Sequence, residues 1–163
     1  MDIRVSKATR QDADDLLDIK REASTVLLAR LGHTLGEIGA WQEKFVTPAY
    51  IAQHLRAPHS LYLIREGEDI KGMAGLTLKD DGDDVFALFG NLYCLESGNG
   101  LGSRLMEYRM GVVEAFNLDF IQCHVHSENE RAQRFLSHYG FIRYGSYDEP
   151  RLGRPNFIYR KAM

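Results

Sequence analysis

The sequence predicts an α+β fold in which a mixed sheet is flanked by helices. Three observations indicate this class: short runs of β-forming residues, amphipathic stretches between some of them, and turns marked by glycine or proline. The 163 residues are most simply one domain, 1–163, since this length suffices for a real core. The predicted order of elements is β-α-α-β-β-β-α-β-α-β-β.

The first half of the chain predicts a strand, two helices and a hairpin. Residues 3–8 alternate as a strand, and Thr9-x-x-Asp12 is a capping box for the helix that follows. Thr47 and Pro48 begin a short helix, because proline is tolerated at the first helical position. The hairpin strands are residues 61–64 and 70–78, joined by a turn at residues 66–69.

The second half predicts a central strand from Val85, a glycine-rich loop and a long helix. The helix has an apolar stripe at Leu101, Leu105, Val112 and Phe116. The remaining elements are a strand at 120–126, a helix at 129–138 that ends at Gly140, and a hairpin-like pair at 142–147 and 156–161.

Gly98, Gly100 and Gly102 lie in the loop between the central strand and this helix. Free backbone N–H groups and the helix dipole at such a position attract anions, which favours a pyrophosphate site. The alternative is a tight connection whose glycines serve geometry alone. The loop matches neither the Walker pattern, since it lacks Lys-Ser/Thr, nor the dinucleotide spacing G-x-G-x-x-G.

Charge, hydropathy and cysteine content indicate which classes of partner and which compartment to expect. A net charge of −3 without a basic face argues against nucleic acid as the main partner. No signal-peptide core and no apolar run long enough to cross a bilayer occur, so we expect no membrane contact. Cys94 and Cys123 lie in apolar strand-like runs, which predicts buried free thiols in the cytoplasm.

Three segments, in this order, carry a resemblance to a known family. Residues 4–12 resemble the first strand and helix start of the GNAT superfamily of acyl-CoA-dependent N-acyltransferases. Ser97-Gly-Asn-Gly-Leu-Gly102 resembles the family's Q/R-x-x-G-x-G/A loop, and Asn129-x-x-Ala132-x-x-Phe135 with Gly140-Phe141 resembles its N-x-x-A…G-F segment. The resemblance spans the whole chain and implies a sheet that splays open beside the central strand.

The resemblance implies transfer of an acetyl group from acetyl-CoA, as co-substrate, directly to a primary amine of a small molecule or peptide. A homodimer is a common state in the family. The implied contacts to the pantetheine arm are the backbone of Tyr93, Cys94 and Leu95 together with Asn129. Those implied for the pyrophosphate are Gly98, Asn99, Gly100, Leu101, Gly102 and Ser103.

Two positions depart from the family pattern. Ser97 replaces the Gln or Arg that opens the loop, which should weaken cofactor binding rather than abolish it, because backbone N–H groups make most of the phosphate contact. Leu136 replaces the tyrosine that commonly protonates the leaving thiolate. The usual catalytic acid is therefore missing from its position.

Candidate catalytic residues follow from the chemistry of amine acylation. An alkyl amine is protonated at neutral pH, so a base is expected: His126 is the first candidate, with His124 on the same strand face and Glu96 beside the loop. Each also has a non-catalytic interpretation: the histidines as sheet-edge residues, and Glu96 as a solvated carboxylate. Tyr139, three residues beyond Leu136, is the candidate acid, and packing ahead of Gly140 is its alternative.

Other interpretations of the same residues stay open. Cys94 as a nucleophile is less favoured than an inert buried thiol, and no metal site is expected, since neighbouring strand residues such as Cys123 and His124 point to opposite faces. Aromatic residues at Trp41, Phe45 and Tyr50 either form the acceptor wall or pack a short helix. The rival functions are a non-catalytic acyl-CoA-binding regulatory module and a nucleotide-binding domain.

Overall fold

The computed structural model describes residues 2–96 and 99–163. Within these residues the helices are α1 (Ala13–Arg30), α2 (Leu35–Phe45), α3 (Pro48–His54), α4 (Leu101–Val113) and α5 (Glu130–His138). The strands are β1 (Ile3–Lys7), β2 (His59–Glu66), β3 (Asp69–Asp80), β4 (Val85–Cys94), β5 (Phe120–His126), β6 (Ile142–Glu149) and β7 (Arg154–Ala162). None of the described helices is long and apolar enough to cross a membrane.

The strands form one sheet in the order β1-β2-β3-β4-β5-β7-β6. Neighbouring strands are antiparallel except β4 and β5, which run parallel and are connected through α4. A parallel pair needs such a crossover, because a tight turn reverses the chain direction. The predicted α+β class with a mixed sheet is confirmed.

Strands β4 and β5 pair only near their beginnings. Their register runs from Phe86 opposite Phe120 to Phe89 opposite Cys123. Beyond these pairs β4 continues to Cys94 and β5 to His126, and the two strands no longer pair with each other. The sheet therefore opens between the two strand ends, as the family resemblance implies.

A β-bulge in β4 lies at the start of this opening. Met73 pairs with Tyr93 and Gly75 with Gly90, so the single residue between them on β3 faces Asn91 and the following leucine on β4. Asn91 has a φ of 52°, in the left-handed region. A Cβ on Gly75 would lie 3.2 Å from the Gly90 carbonyl oxygen, so glycine allows the two strands to approach here.

Each face of the sheet is covered by helices. The larger core joins the sheet to α4 and α5 and includes Ile64, Leu101, Leu105, Ile121 and Leu136. The opposite core joins it to α1 and α3 and includes Leu16, Ile19, Ile51, Leu63 and Met73. Adjacent strand residues belong to different cores because their side chains alternate across the sheet.

Two sequence expectations differ from the structure. Helix α2 is absent from the predicted order, although Thr34 and Glu37 form a capping box: the Glu37 N–H donates to Thr34 Oγ1 at 3.2 Å, and Glu37 Oε1 accepts from the Thr34 N–H at 2.9 Å. The glycines inside this helix obscure its periodicity. Phe116, predicted on the stripe of α4, lies beyond its end and is exposed.

Candidate functional site

The opening between β4 and β5 forms a cavity of about 230 Å³. Its walls come from the unpaired ends of the two strands, from α1 and α2 on one side and from α4 and α5 on the other. Its lining includes Trp41, Tyr93, Arg109, His124, His126, Asn129 and Leu136. An extended ligand arm that enters here would find strand backbone without a partner strand.

The beginning of α4 provides backbone donors beside this cavity. Gly100 is its N-cap residue, with φ at 80° and no side-chain cap. The N–H groups of Gly102 and Ser103 belong to the first turn and have no intrahelical acceptor. Asn99 Oδ1 lies 3.4 Å from the Leu101 nitrogen. Gly98, part of the same predicted cradle, lies outside the described residues.

A second cavity of about 670 Å³ spans the start of α4 and the start of α5. Asn99–Ser103 line it from one side, and residues 128–132 line it from the other. Arg30 from α1 and Arg131 and Arg134 from α5 also line it. Free helix N–H groups and nearby guanidinium groups suit a phosphorylated ligand.

The end of β4 and the residue that follows it contain the three predicted backbone contacts to pantetheine. Tyr93 and Cys94 both pair with β3, and the Leu95 N–H donates to the Lys71 carbonyl at 2.9 Å. The Leu95 N–H is therefore already satisfied, so it does not offer a donor to a ligand. Burial raises the pKa of Cys94 to about 11, which keeps this thiol protonated at neutral pH and favours the inert interpretation.

Asn129 is the N-cap residue of α5 and lines both cavities. Its Oδ1 accepts the Ala132 N–H at 3.1 Å, so the side chain is fixed by the helix that it caps. The Nδ2 group forms no hydrogen bond with another described residue and is the part of this side chain left for a ligand.

His126, the predicted base, has both ring nitrogens engaged. Its Nδ1 accepts the Glu128 N–H at 3.1 Å, so the neutral ring carries its proton on Nε2, which lies 2.7 Å from His33 Nε2. His33 then carries its proton on Nδ1, 3.6 Å from Glu37 Oε1 and without a hydrogen-bond partner among the described residues. Burial is the main cause that lowers the pKa of His126, and the nearby His33 ring lowers it further.

His124 shares the strand face of His126, as the two-residue spacing predicts, and it also lines the cavity. Its Nε2 lies 2.8 Å from Gln122 Nε2 and its Nδ1 lies 3.1 Å from the Tyr147 hydroxyl. Burial, followed by the positive charge of Lys79, lowers the pKa of His124. The two histidines thus contribute polar contacts, and neither offers a free ring nitrogen.

The other two predicted catalytic side chains lie away from the opening. The Tyr139 hydroxyl donates to Glu107 Oε1 at 3.2 Å on the exposed surface of α4 and α5. Glu96 forms an ion pair with Lys71 at 3.5 Å and accepts from Asn99 Nδ2 at 3.2 Å. Glu96 lines the larger cavity beside the α4 start, whereas Tyr139 lines neither cavity. The structure therefore does not bring these candidates together with His126.

An aromatic cage behind the acceptor wall contains a residue that the sequence analysis missed. Lys20, from α1, is 1% exposed, and its Nζ lies 3.7 Å from the Tyr50 ring centre and 5.7 and 5.8 Å from those of Trp41 and Tyr93. Burial lowers the pKa of Lys20 to about 7. Of the predicted aromatic wall, Trp41 lines the cavity, whereas Tyr50 and Phe45 pack behind it.

Arg109 is the second residue that the analysis missed. It lies on α4, is 1% exposed and lines the cavity between β4 and β5. Its Nη1 donates to the carbonyls of Gly75 and Gly90 at 2.9 and 3.4 Å, and its Nε donates to Leu105 at 3.3 Å. Burial lowers the pKa of Arg109 to about 10, so the group remains charged at neutral pH.

Comparisons with known proteins agree with this architecture. The chain matches the family described as the acetyltransferase (GNAT) family over residues 28–141. No curated protein matches it in sequence.

Solved structures resemble it over nearly their full lengths. PaiA N-acetyltransferase from Thermoplasma acidophilum, in complex with coenzyme A, has a TM-score of 0.84 at 16% identity, covering 100% of both chains. Ribosomal-protein-S18-alanine N-acetyltransferase from Escherichia coli has a TM-score of 0.72 at 14% identity, covering 99% of this chain and 94% of that one. At these identities the likeness shows the fold.

Proposed function

Since the chain belongs to the GNAT acetyltransferase family, we propose that it transfers an acetyl group from acetyl-CoA directly to a primary amine. The observation that carries this proposal is the opening between β4 and β5, which lies beside the uncapped N-terminus of α4. One feature can hold an extended thioester arm and the other an anionic diphosphate, which are the two parts of an acyl-CoA.

The residues of the opening fit this co-substrate. Backbone N–H groups at Gly102 and Ser103, with the left-handed turn at Gly100, would hold the diphosphate. The unpaired edge of β4 near Tyr93 would hold the pantetheine arm, with Asn129 Nδ2 as a side-chain donor. The bulge at Asn91 turns the β4 backbone away from regular pairing with β3, which exposes peptide groups beside the thioester.

Proton removal from the amine is the second requirement. His126 stays a predicted base. Both of its ring nitrogens are hydrogen-bonded, to Glu128 and to His33, so His126 could accept the amine proton only after one of these two hydrogen bonds breaks. Solvent in the opening can take the proton instead. The roles of Glu96 and Tyr139 also stay predictions.

The acceptor enters, in this proposal, from the side of α1 and α2, where Trp41 lines the cavity. The S18-alanine acetyltransferase is named for a protein substrate, so both a small-molecule amine and a peptide amine belong to the proposed acceptor class. We place the reaction in the cytoplasm, where acetyl-CoA is available and where free thiols such as Cys94 and Cys123 stay reduced.

A second candidate function is a non-catalytic acyl-CoA-binding module of the same fold. The observation that favours it is Leu136, which is buried and lines the cavity where the family resemblance implies a catalytic tyrosine. Such a module would keep the diphosphate site and the opening but would lack turnover.

The test is a panel of primary amines incubated with acetyl-CoA, with release of the coenzyme A thiol as the readout. We expect steady release with at least one amine class. Thermal-shift measurements with acetyl-CoA, ATP and NAD run in parallel, because only a true ligand raises the unfolding temperature by mass action. Stabilisation by acetyl-CoA without turnover across the panel would support the binding module, and stabilisation by ATP or NAD alone would contradict both.

A further inference from the structure

Arg109 is a buried charge without a charged partner. No carboxylate of the described residues forms an ion pair with its guanidinium. Its acceptors are three backbone carbonyls, those of Gly75, Gly90 and Leu105. An unpaired buried cation is costly, and the carbonyl dipoles together with the Phe89 ring, whose centre lies 4.5 Å from Arg109 Cζ, offset only part of that cost. The position therefore has an unmet preference for negative charge.

The place of this charge is also informative. The Gly90 carbonyl, which accepts from Arg109 Nη1, follows directly on Phe89, the last β4 residue that pairs with β5. Arg109 thus lies at the point where the strands separate, and it lines the cavity together with Leu136. The cavity wall that lacks the family's tyrosine is the wall that has the unpaired guanidinium.

Two native thiols lie close enough to Arg109 for its charge to affect them. Cys94 is on β4 and Cys123 is on β5, one on each side of the opening. Burial raises the pKa of both thiols, and the positive charge of Arg109 opposes that rise at both. A third sulfur atom held between the two strands would feel the same positive potential.

We propose that Arg109 provides the positive charge that stabilises the thiolate of coenzyme A as it leaves, in place of a protonating tyrosine. This rests on the proposed acetyltransferase function. In that reaction the amine nitrogen bonds to the acetyl carbon, the carbon–sulfur bond breaks with its electron pair on sulfur, and one amine proton passes to solvent. Electrostatic stabilisation of the sulfur makes a proton donor unnecessary at this step.

The competing role for Arg109 is structural, since it bridges the carbonyls of two neighbouring strands beside the bulge. A structural residue would affect folding and all ligands equally. A residue that stabilises a thiolate would affect only ligands that have the sulfur, and it would do so in a pH-dependent way. The two roles are therefore separable by comparing ligands with and without the thiol.

The experiment measures binding of coenzyme A and of desulfo-coenzyme A by calorimetry from pH 6 to pH 10. In the wild type we expect the affinity ratio of coenzyme A to desulfo-coenzyme A to rise with pH, because the bound thiol ionises at lower pH than the free thiol. Arg109→Gln keeps a polar amide on this side chain but removes the charge, so its ratio should stay flat. Arg109→Lys should retain most of the rise, and Arg143→Met, at a surface position on β6, is the control for loss of an arginine.

Activity provides a second readout in the same variants. We expect kcat for acetyl transfer to fall by about tenfold or more in Arg109→Gln and by less in Arg109→Lys. A ratio that rises equally in wild type and Arg109→Gln would overturn this inference and leave the proposed function standing. Failure of the wild type to bind either ligand would overturn both. If Arg109→Gln does not fold, the wild-type ratio and Arg109→Lys still decide, since a flat wild-type ratio refutes the proposal.

Discussion

The two walls of the opening are built by different means. On the side of α4 and α5 the candidate contacts are mainly backbone groups, set by the turn at Gly100 and the cap at Asn129. On the side of α1 and α2 the wall is supported from behind by side chains that meet only after folding, such as Lys20 in its aromatic cage and His33 against His126. Under the proposed function, the wall of backbone groups suits acetyl-CoA, whose structure is always the same. The wall of side chains can differ in sequence according to the amine that the protein accepts.

A substitution that disrupts the backbone groups at the start of α4 should have the largest effect on ligand affinity. Gly100→Val places a branched side chain at a φ of 80°, so we expect acetyl-CoA to bind about a hundredfold more weakly while the fold is kept. Calorimetric titration measures this. Gly67→Val is a matched control, because Gly67 also has a positive φ, at 62°, and open space around it, but lies in the β2–β3 turn. Equal affinities in the two variants would contradict the diphosphate site.

On the side-chain wall, Lys20→Met should raise the free energy of unfolding by about 2 kcal/mol at pH 7, because it removes a buried amine. The folded pKa of about 7 lies below the unfolded value of 10.5, so the unfolded state binds the extra proton and wild-type stability rises between these pH values. The advantage of the variant should therefore be greatest below pH 7 and vanish near pH 10.5. Urea unfolding across this range measures it.

Lys44→Met is the control for this change, since Lys44 also lies over an aromatic ring, that of Phe45, but is exposed. It should change stability little at any pH. Wild-type stability that does not rise above pH 7 relative to Lys20→Met would show that Lys20 is not neutralised by burial.

The histidine pair should respond to the loss of one acceptor. His33→Leu leaves the Nε2–H of His126 without its partner and should cost about 1–2 kcal/mol of unfolding free energy. His33→Gln offers an amide oxygen near the same place, so it should cost less and keep the Nε2–H tautomer of His126. Nitrogen NMR of the ring reports that tautomer, with the exposed His138→Gln as control. A wild-type His126 ring protonated on Nδ1 would contradict the assignment.

The smallest expected effect is at Tyr139. Its hydroxyl donates to Glu107 on the surface and lines neither cavity, so Tyr139→Phe should change kcat by less than about twofold. Initial rates with a saturating amine measure this. A loss of tenfold or more would instead establish the acid role predicted from its spacing to Leu136 and would weaken the case for Arg109.

The backbone wall could be predicted from the sequence because its signals are local. Three alternate glycines before an amphipathic helix, and Asn129 at a helix start, are readable without tertiary contacts. The side-chain wall could not, since His33 and His126 are 93 residues apart. Arg109 did leave a signal: it falls between Leu105 and Val113 at intervals of four residues, where an apolar residue is expected. The capping box of α2 was a similar unused signal.

The parting of β4 and β5 has a consequence for local stability. These strands share four residue pairs, whereas β2 shares eight with β3 and β5 shares seven with β7. The sheet thus has two extensively paired sections, joined by the short β4–β5 pairing. Local unfolding of the sheet should begin at this β4–β5 junction. Amide hydrogen exchange at the β4–β5 junction should be fast in the free protein and slow once a ligand bridges the two strands. Ligand binding would then directly stabilise the association of the two sheet sections.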